Sequence, residues 1–192
     1  MTPWITKPVP FNIGQSAAAA GEAPCVEEYY NLPDETTTNR SLGVGREGGG
    51  FEPTTGNDIF EKTVASVTVK LDNDGRSPDE TISVRARNST SGAIVGTFGQ
   101  MDATNLTSSI VEYTFDTNQI TLSSGDMITV EYPITSGDIV NIQVYPTVTT
   151  NYVSNADTFV STGADLTNWV TWQDGYSPYN YYWIWLKVIY CP

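Results

Sequence analysis

Residues 181–190, with the sequence YYWIWLKVIY, constrain the fold more than any other part of the chain. Alternate side chains of a strand point to opposite faces. One face would then carry a nearly pure core set, namely Tyr182, Ile184, Leu186, Val188 and Tyr190. The other face would carry Tyr181, Trp183, Trp185, Lys187 and Ile189. A solvent-facing side of an antiparallel strand is usually polar. The tryptophans therefore predict that something covers this second face: another protein surface, the chain's own N-terminal segment or a sugar.

The sequence after Lys62 continues to alternate with a period of two residues. Turn signals, such as the Asp74-Gly75 pair, separate the alternating segments, which lie at residues 64–71, 81–87, 109–115, 127–132 and 139–145. We expect about eight strands and no convincing helix in this region. Short strands at this spacing predict an all-β antiparallel sandwich or barrel. Eight strands in two sheets would be a jelly roll.

The order of the strand motifs resembles a known module. LSSGD at residues 122–126, ITVEY at 128–132 and LKV at 186–188 occur in that order. The chain in this respect is similar to a jelly-roll β-sandwich module that recurs in large archaeal and bacterial surface proteins and in phage virion proteins. The resemblance covers about residues 62–190. It implies a fold and no ligand-binding or catalytic residue, because the motifs consist mostly of turn and core residues.

Residues 1–61 show no periodic pattern. They contain six prolines, a run of alanines and the segment GVGREGGG at residues 43–50. This composition predicts an extended N-terminal arm, with residues 62–192 forming the β-sandwich domain. The arm would either wrap its own domain or lie across neighbouring subunits, and we favour the second.

Charge and composition exclude several classes of function. Nine Lys and Arg stand against 22 Asp and Glu, for a net charge of −13, and the bases form no cluster. Nucleic-acid binding needs clustered positive charge, so we expect no nucleic-acid partner. The chain has no histidine, which removes Ser-His-Asp and Cys-His chemistry and His-ligated zinc. We expect no enzymatic activity and no cofactor, since no recognised catalytic constellation is present.

Composition and the N-terminus bear on location in different ways. The N-terminus lacks a basic segment followed by an apolar one, so we expect no secretion signal. No stretch approaches the roughly 18 apolar residues of a membrane span, so we expect no membrane insertion. Charged residues are only 16% of the chain, against about 25% on average, and such compositions are common in extracellular and virion β-proteins. We predict a virion protein assembled in the host cytoplasm, with an extracellular or cell-surface location as the alternative.

A dense group of aromatic residues near the C-terminus is the main candidate site. It comprises Trp169, Trp172, Tyr176, Tyr179, Tyr181, Trp183 and Trp185. Such residues stack on sugar rings in carbohydrate-binding modules, and they are also enriched at protein interfaces. Packing under the arm or inside the sandwich is the third interpretation, and all three stay open at this point.

One acidic hairpin is a weak candidate for calcium. Asp72, Asp74 and Asp79 lie close together in sequence. Calcium needs about six to eight oxygen ligands, and the full calcium-loop pattern fails because Gly75 comes too early. A solvated acidic turn is the favoured interpretation, and we expect no other metal site.

Cys25 and Cys191 are the only cysteines. They could form one bridge between the arm and the end of the last strand, a bridge to another subunit, or remain free in a reducing compartment. The sequence leaves these alternatives open.

Together these observations predict a non-enzymatic structural subunit of a virion or surface assembly, such as a capsid decoration, collar or tail component. Its partners would be copies of itself and other assembly proteins, with contacts through the N-terminal arm and the aromatic group. The alternative is a carbohydrate-binding adhesion module on a phage tail or cell surface, with surface glycans as partners.

Overall fold

The structure, a computed structural model, describes residues 25–31, 37–43, 45–133, 139–147, 155–161, 166–172 and 181–192. Within these ranges the chain forms fourteen strands and a short 3₁₀ helix at Ala103–Asn105. The strands are β1 (Glu27–Tyr30), β2 (Thr38–Leu42), β3 (Gly48–Pro53), β4 (Thr63–Asp72), β5 (Thr81–Asn88), β6 (Ile94–Asp102), β7 (Val111–Phe115), β8 (Ile120–Thr121), β9 (Asp126–Glu131), β10 (Val140–Thr147), β11 (Ala156–Ser161), β12 (Trp169–Thr171), β13 (Tyr181–Ile184) and β14 (Leu186–Cys191).

The strands form two antiparallel sheets, which confirms the predicted all-β sandwich. The eight-stranded sheet has the order β1-β14-β4-β10-β13, with β2 also paired to β10 and with β7 and β8 paired to β4. The six-stranded sheet has the order β12-β11-β3-β9-β5-β6. Alternate side chains of the long strands, such as Val67 and Val69 of β4 and Val84 of β5, are fully buried in one common core. The jelly-roll connectivity stays a prediction, and the expected number of about eight strands was too low.

The described half of the predicted arm is part of the sandwich. Residues 25–61 contain β1, β2 and β3, and β3 lies between β11 and β9 inside the six-stranded sheet. On β1, Tyr29 packs against Phe51 of β3 with 6.1 Å between ring centroids. Within the described residues, position 62 is therefore not a domain boundary. Residues 1–24 lie outside the described ranges.

The last strand is divided in two at Trp185, where the sequence predicted one continuous strand. β13 pairs with β10, and β14 pairs with β4 and β1. Buried Asn31 holds the division: its Oδ1 accepts from the backbone N–H of Leu186 at 2.9 Å, and its Nδ2 donates to the carbonyl of Ile184. Of the predicted core face, Tyr182, Ile184, Leu186 and Val188 are fully buried, whereas Tyr190, which follows a register shift, is half-buried.

One side of the sandwich is closed by hydrogen bonds between the two sheets. The backbone N–H of Tyr182 on β13 donates to the carbonyl of Trp172, next to β12, at 3.2 Å. The hydroxyl of Thr158 on β11 donates to the carbonyl of Tyr182 at 2.5 Å. On the opposite side, the edge strands β6 and β7 face each other without a ladder between them.

Candidate functional site

The four tryptophans of the aromatic group lie in the interior, as the third interpretation, packing inside the sandwich, predicts. Their exposed fractions are 0% for Trp183, 1% for Trp172, 5% for Trp185 and 9% for Trp169. Tyr181 is half-buried. Tyr176 and Tyr179 lie outside the described residues. The four indole rings therefore offer no flat surface for stacking a sugar or for a subunit contact.

Three consecutive glycines in β3 make room for two of these tryptophans. A Cβ at Gly49 would lie 2.5 Å from Cζ3 of Trp172, on the face toward the core. A Cβ at Gly48 would lie 2.7 Å from Cη2 of Trp169, on the opposite face. The glycine-rich segment that the sequence placed in a loose arm is thus a central strand packed on both faces by indole rings.

The other two tryptophans are covered by side chains from neighbouring strands. Trp183 meets Phe51 edge-on, with 6.4 Å between ring centroids and 64° between ring planes. Trp185 lies under Lys70, whose Nζ is 4.2 Å from the ring centroid. The sequence predicted that something covers this face, and the cover is the chain's own side chains.

The outer face of the six-stranded sheet is covered by the chain around β12. Met127, Leu166 and Trp169 form a second buried cluster, with Phe159 packed against it. This cluster lies over the outer side of β3 and β9, as the approach of Leu166 and Trp169 to Gly48 shows. Part of this sheet face is therefore unavailable to a partner.

A buried ion-pair network lies on the same outer face. Glu131 is fully buried and accepts from Arg85 Nη1 at 2.7 Å and from Arg87 Nε at 2.5 Å. Thr129 donates its hydroxyl to the same carboxylate at 2.7 Å, and Arg87 Nη1 donates to the carbonyl of Gly92 at 2.6 Å. The carboxylate of Glu131 is therefore held by two guanidinium groups and a hydroxyl group of the same sheet, and breaking such a buried pair is costly because it leaves an uncompensated charge.

The calcium candidates are not brought together into a site. Asp72 is buried and accepts from the amide groups of Asn141 at 2.9 Å and Asn39 at 3.2 Å, and from the N–H of Asp74 at 2.9 Å. Asp74 is exposed and lies 3.9 Å from Arg76, and Asp79 is exposed. Asp72 thus acts as a hydrogen-bond acceptor that fixes the start of the turn. Across the described ranges, no group of three or more His, Cys, Asp or Glu could hold a metal ion.

Burial raises the pKa of three ionisable groups, Tyr29, Glu52 and Tyr190. Burial raises the pKa of Tyr29 to about 12, although a hydrogen bond from Asn57 lowers it and the charge of Asp58 raises it further. Burial also raises the pKa of Glu52, with further contributions from the negative charges of Asp157 and Asp126. A hydrogen bond with the side chain of Ser89 acts in the opposite direction on the pKa of Glu52, and burial is the largest cause of all three shifts.

Cys25 and Cys191 form a disulfide across 166 residues of sequence. The bridge joins the residue before the β1 region to the end of β14, and these two strands are also paired with Glu27 opposite Tyr190. Of the three alternatives that the sequence left open, the structure has the intrachain bridge.

Exposed apolar side chains are concentrated at the sheet edges. In the described part of the chain, the exposed large apolar residues are Val26, Ile94, Val95, Val111 and Val170. Ile94 and Val95 are on β6, Val111 is on β7 and Val170 is on β12, all edge strands, and Val26 immediately precedes the edge strand β1. The sequence could not show this, because whether a strand lies at an edge depends on the pairing of the whole sheet.

A cleft of about 230 Å³ lies between the edges of β6 and β7. Its lining comprises Gly99, Gln100, Met101, Tyr113, Thr114, Phe115, Asp116 and Thr117. At one end the two sheets are joined, since the N–H of Thr117 donates to the carbonyl of Phe98 at 2.8 Å. Asn118 Nδ2 donates to the carbonyl of Thr97 at 2.9 Å near the same end. We call the cleft and its two strand edges the open seam.

The sequence matches no protein-family model and no curated protein. No helix in the described ranges is long and apolar enough to cross a membrane. The candidate site is therefore defined by geometry: unpaired strand edges that carry apolar side chains, and the open seam between two of them.

Proposed function

We propose that this protein is a non-enzymatic structural subunit of a virion or surface assembly, such as a capsid decoration, collar or tail component. The observation that carries the proposal is the position of Ile94, Val95, Val111 and Val170 on edge strands. Natural sheets usually protect exposed edges with charged residues, proline or covering loops. Edges that also display exposed isoleucine and valine are suited to contacts with other copies and with other assembly proteins.

The disulfide supports a location outside a reducing compartment. A bridge between Cys25 and Cys191 persists in oxidising surroundings such as the exterior of a virion or a cell. A virion protein assembled in the host cytoplasm would form the bridge on release, and an extracellular or cell-surface protein would form it on export. The disulfide would then hold β1 and β14 together in a particle outside the cell.

The carbohydrate-binding alternative has less support. Its stacking residues would come from the group of seven aromatic residues, of which the four tryptophans, Trp169, Trp172, Trp183 and Trp185, are buried by the chain itself. Protein contacts through the strand edges need none of these rings. The assembly function is therefore the better supported of the two.

Sedimentation velocity of the full chain, with the disulfide intact, tests the proposal. We expect the mass to rise with protein concentration and with salt, because a net charge of −13 makes copies repel one another at low ionic strength. The matched control is the reduced protein, which keeps the exposed strand edges but lacks the disulfide. A sedimentation coefficient of a monomer at every concentration and salt would contradict self-assembly.

A further inference from the structure

The open seam exposes side chains that point toward the core. By their register with β4, Val111, Tyr113 and Phe115 lie opposite buried apolar residues and share their face. Phe115 is 5% exposed and Tyr113 is half-buried, whereas Val111 is 39% exposed. The core is thus progressively uncovered along β7, from Phe115 toward Val111.

Both walls of the seam end in a free strand edge. In the described structure β6 pairs with β5 alone and β7 pairs with β4 alone, so beyond the end that Thr117 and Asn118 join to β6, each strand presents an edge without a ladder partner. On β6, the inward positions are Gly99, which has no side chain, and Met101. The volume of about 230 Å³ is below the range of about 300–1,000 Å³ for small-molecule sites. An apolar slot beside a free edge is instead the geometry in which an extended peptide adds as a strand.

We infer that residues 8–13 of a second copy add as a strand to the free edge of β7 and place Val9, Phe11 and Ile13 in the open seam. This inference rests on the proposed self-assembly and names its contact. The sequence PVPFNI alternates apolar side chains with Pro8, Pro10 and Asn12. In an antiparallel strand, residues that share a face also direct their backbone groups to the same neighbour.

The two prolines fit the outer side of such a strand. With Val9, Phe11 and Ile13 facing β7, the alternate positions Pro8 and Pro10 face away from it. A proline has no N–H to offer to a further strand, so the added strand would itself be a protected edge. One segment can then fill one seam without the sheet continuing to grow.

The charges of the two surfaces are complementary. Residues 1–13 contain Lys7 and no acidic residue. The seam is bordered by Asp116, which lines it, and by exposed Asp102 and Glu112 on its two strands. Most of a protein with a net charge of −13 is repelled by these acidic residues. A segment without acidic residues approaches them with the least electrostatic repulsion.

The position of the disulfide favours a second copy over the segment's own chain. Cys25 is bonded to Cys191, which lies opposite Thr63, whereas Val111 lies opposite Leu71, near the other end of β4. An antiparallel strand on β7 would put Ile13 near Val111, about 27 Å along the sheet and about 14 Å across it from the disulfide. Residues 14–24 span at most about 40 Å when fully extended. If residues 8–13 docked in the open seam of their own chain, residues 14–24 would have little length left to pass around the side chains of β4 and β7.

The test uses the full chain and two pairs of matched variants. Val111→Glu places a charge in the seam, and Ser108→Glu adds the same charge at an exposed position just before β7. Phe11→Glu disables the segment, and Asn12→Glu alters the neighbouring outward position. Light scattering after size exclusion gives the mass, and circular dichroism checks the fold. We expect Val111→Glu and Phe11→Glu to be monomeric, and the other two variants to keep the mass of the unaltered protein.

A mixing experiment separates docking between copies from docking within one chain. Val111→Glu keeps an intact segment and Phe11→Glu keeps an intact seam, so an equimolar mixture should regain a dimer with one copy of each. If both variants are monomeric and the mixture stays so, docking on a second copy is refuted. If both variants keep the mass of the unaltered protein, the seam contact is refuted while self-assembly stands. A monomeric unaltered protein would refute both. Should Val111→Glu fail to fold, the Phe11→Glu and Asn12→Glu pair still decides whether the segment makes the contact.

Discussion

Replacing Gly49 with alanine is expected to destabilise the protein, because the glycine makes room for an indole ring. The new Cβ would lie 2.5 Å from Cζ3 of Trp172 and 3.0 Å from Cγ2 of Ile184. Both neighbours are almost completely buried, and Trp172 also packs against Tyr182, with 6.1 Å between ring centroids. Neither side chain can move away without displacing others.

The expected size of the effect follows from two opposing terms. Overpacking of a buried site costs about 1–3 kcal/mol, and contacts below 3.0 Å on a fixed ring belong to the upper part of that range. Alanine restricts the unfolded chain and returns about 0.4–1 kcal/mol. The net expectation is a free energy of unfolding lowered by about 2 kcal/mol. Gly50→Ala is the matched control, because its nearest contact is the flexible Met127 at 3.1 Å, and we expect little change.

The assay is urea unfolding followed by circular dichroism with the disulfide intact, with linear extrapolation to water. A second change, Trp172→Phe, removes the part of the indole ring that the new Cβ would meet. The double variant Gly49→Ala, Trp172→Phe should therefore lose less stability than the sum of the two single losses, by about 1 kcal/mol or more. Strict additivity, or equal losses for Gly49→Ala and Gly50→Ala, would refute the packing of the glycine strand against Trp172.

Three further predictions concern the staple and the buried charges. Replacing both Cys25 and Cys191 with serine should lower the free energy of unfolding by about 5 kcal/mol in the chain-entropy model, measured by urea unfolding against the oxidised parent; the reduced parent is the control and should resemble the variant. The raised pKa of Glu52 means that the native state binds a proton more tightly than the unfolded chain, so stability falls as pH rises through the folded pKa. Glu52→Gln should therefore stabilise the protein at neutral pH and change it little near pH ~3; a stabilisation equal at both pH values would contradict this. Glu131→Gln leaves buried arginine uncompensated and should cost about 3–5 kcal/mol, whereas Glu112→Gln, at an exposed ion pair of 3.9 Å, should cost less than about 1 kcal/mol; similar thermal shifts would be the opposing result.

The sequence predicted the regular strands of the fold and missed the irregular ones. The alternation in β4, β5 and β9 and the turn at Asp74 and Gly75, which have φ of 51° and 71°, follow from local rules. β3 was missed because its first three residues are glycines, and a strand without side chains has no hydrophobic period. β1 and β2 are short and pair with strands far away in sequence, so nothing local identifies them.

The burial of the tryptophans was outside the reach of sequence patterns. Alternation predicts that Trp183 and Trp185 face away from Ile184, but it cannot tell whether that face meets solvent, and in the structure all three side chains are buried in one core cluster. At the closed side of the sandwich, β13 is hydrogen-bonded to residues of the other sheet, and its consecutive residues Tyr182, Trp183 and Ile184 are all fully buried. The sequence could not predict the disulfide either, because two cysteines separated by 166 residues give no local signal that they are paired.

The central claim is that the free strand edges of this sandwich carry its assembly contacts. Hydrogen–deuterium exchange of the full chain at low and high protein concentration tests this most directly, because it reads the backbone N–H groups of each strand. We predict that the amides of β6 and β7 exchange more slowly at high concentration, while those of β4 and β9, already paired on both sides, remain unchanged. Exchange of β6 and β7 at the same rate at every concentration would contradict the account.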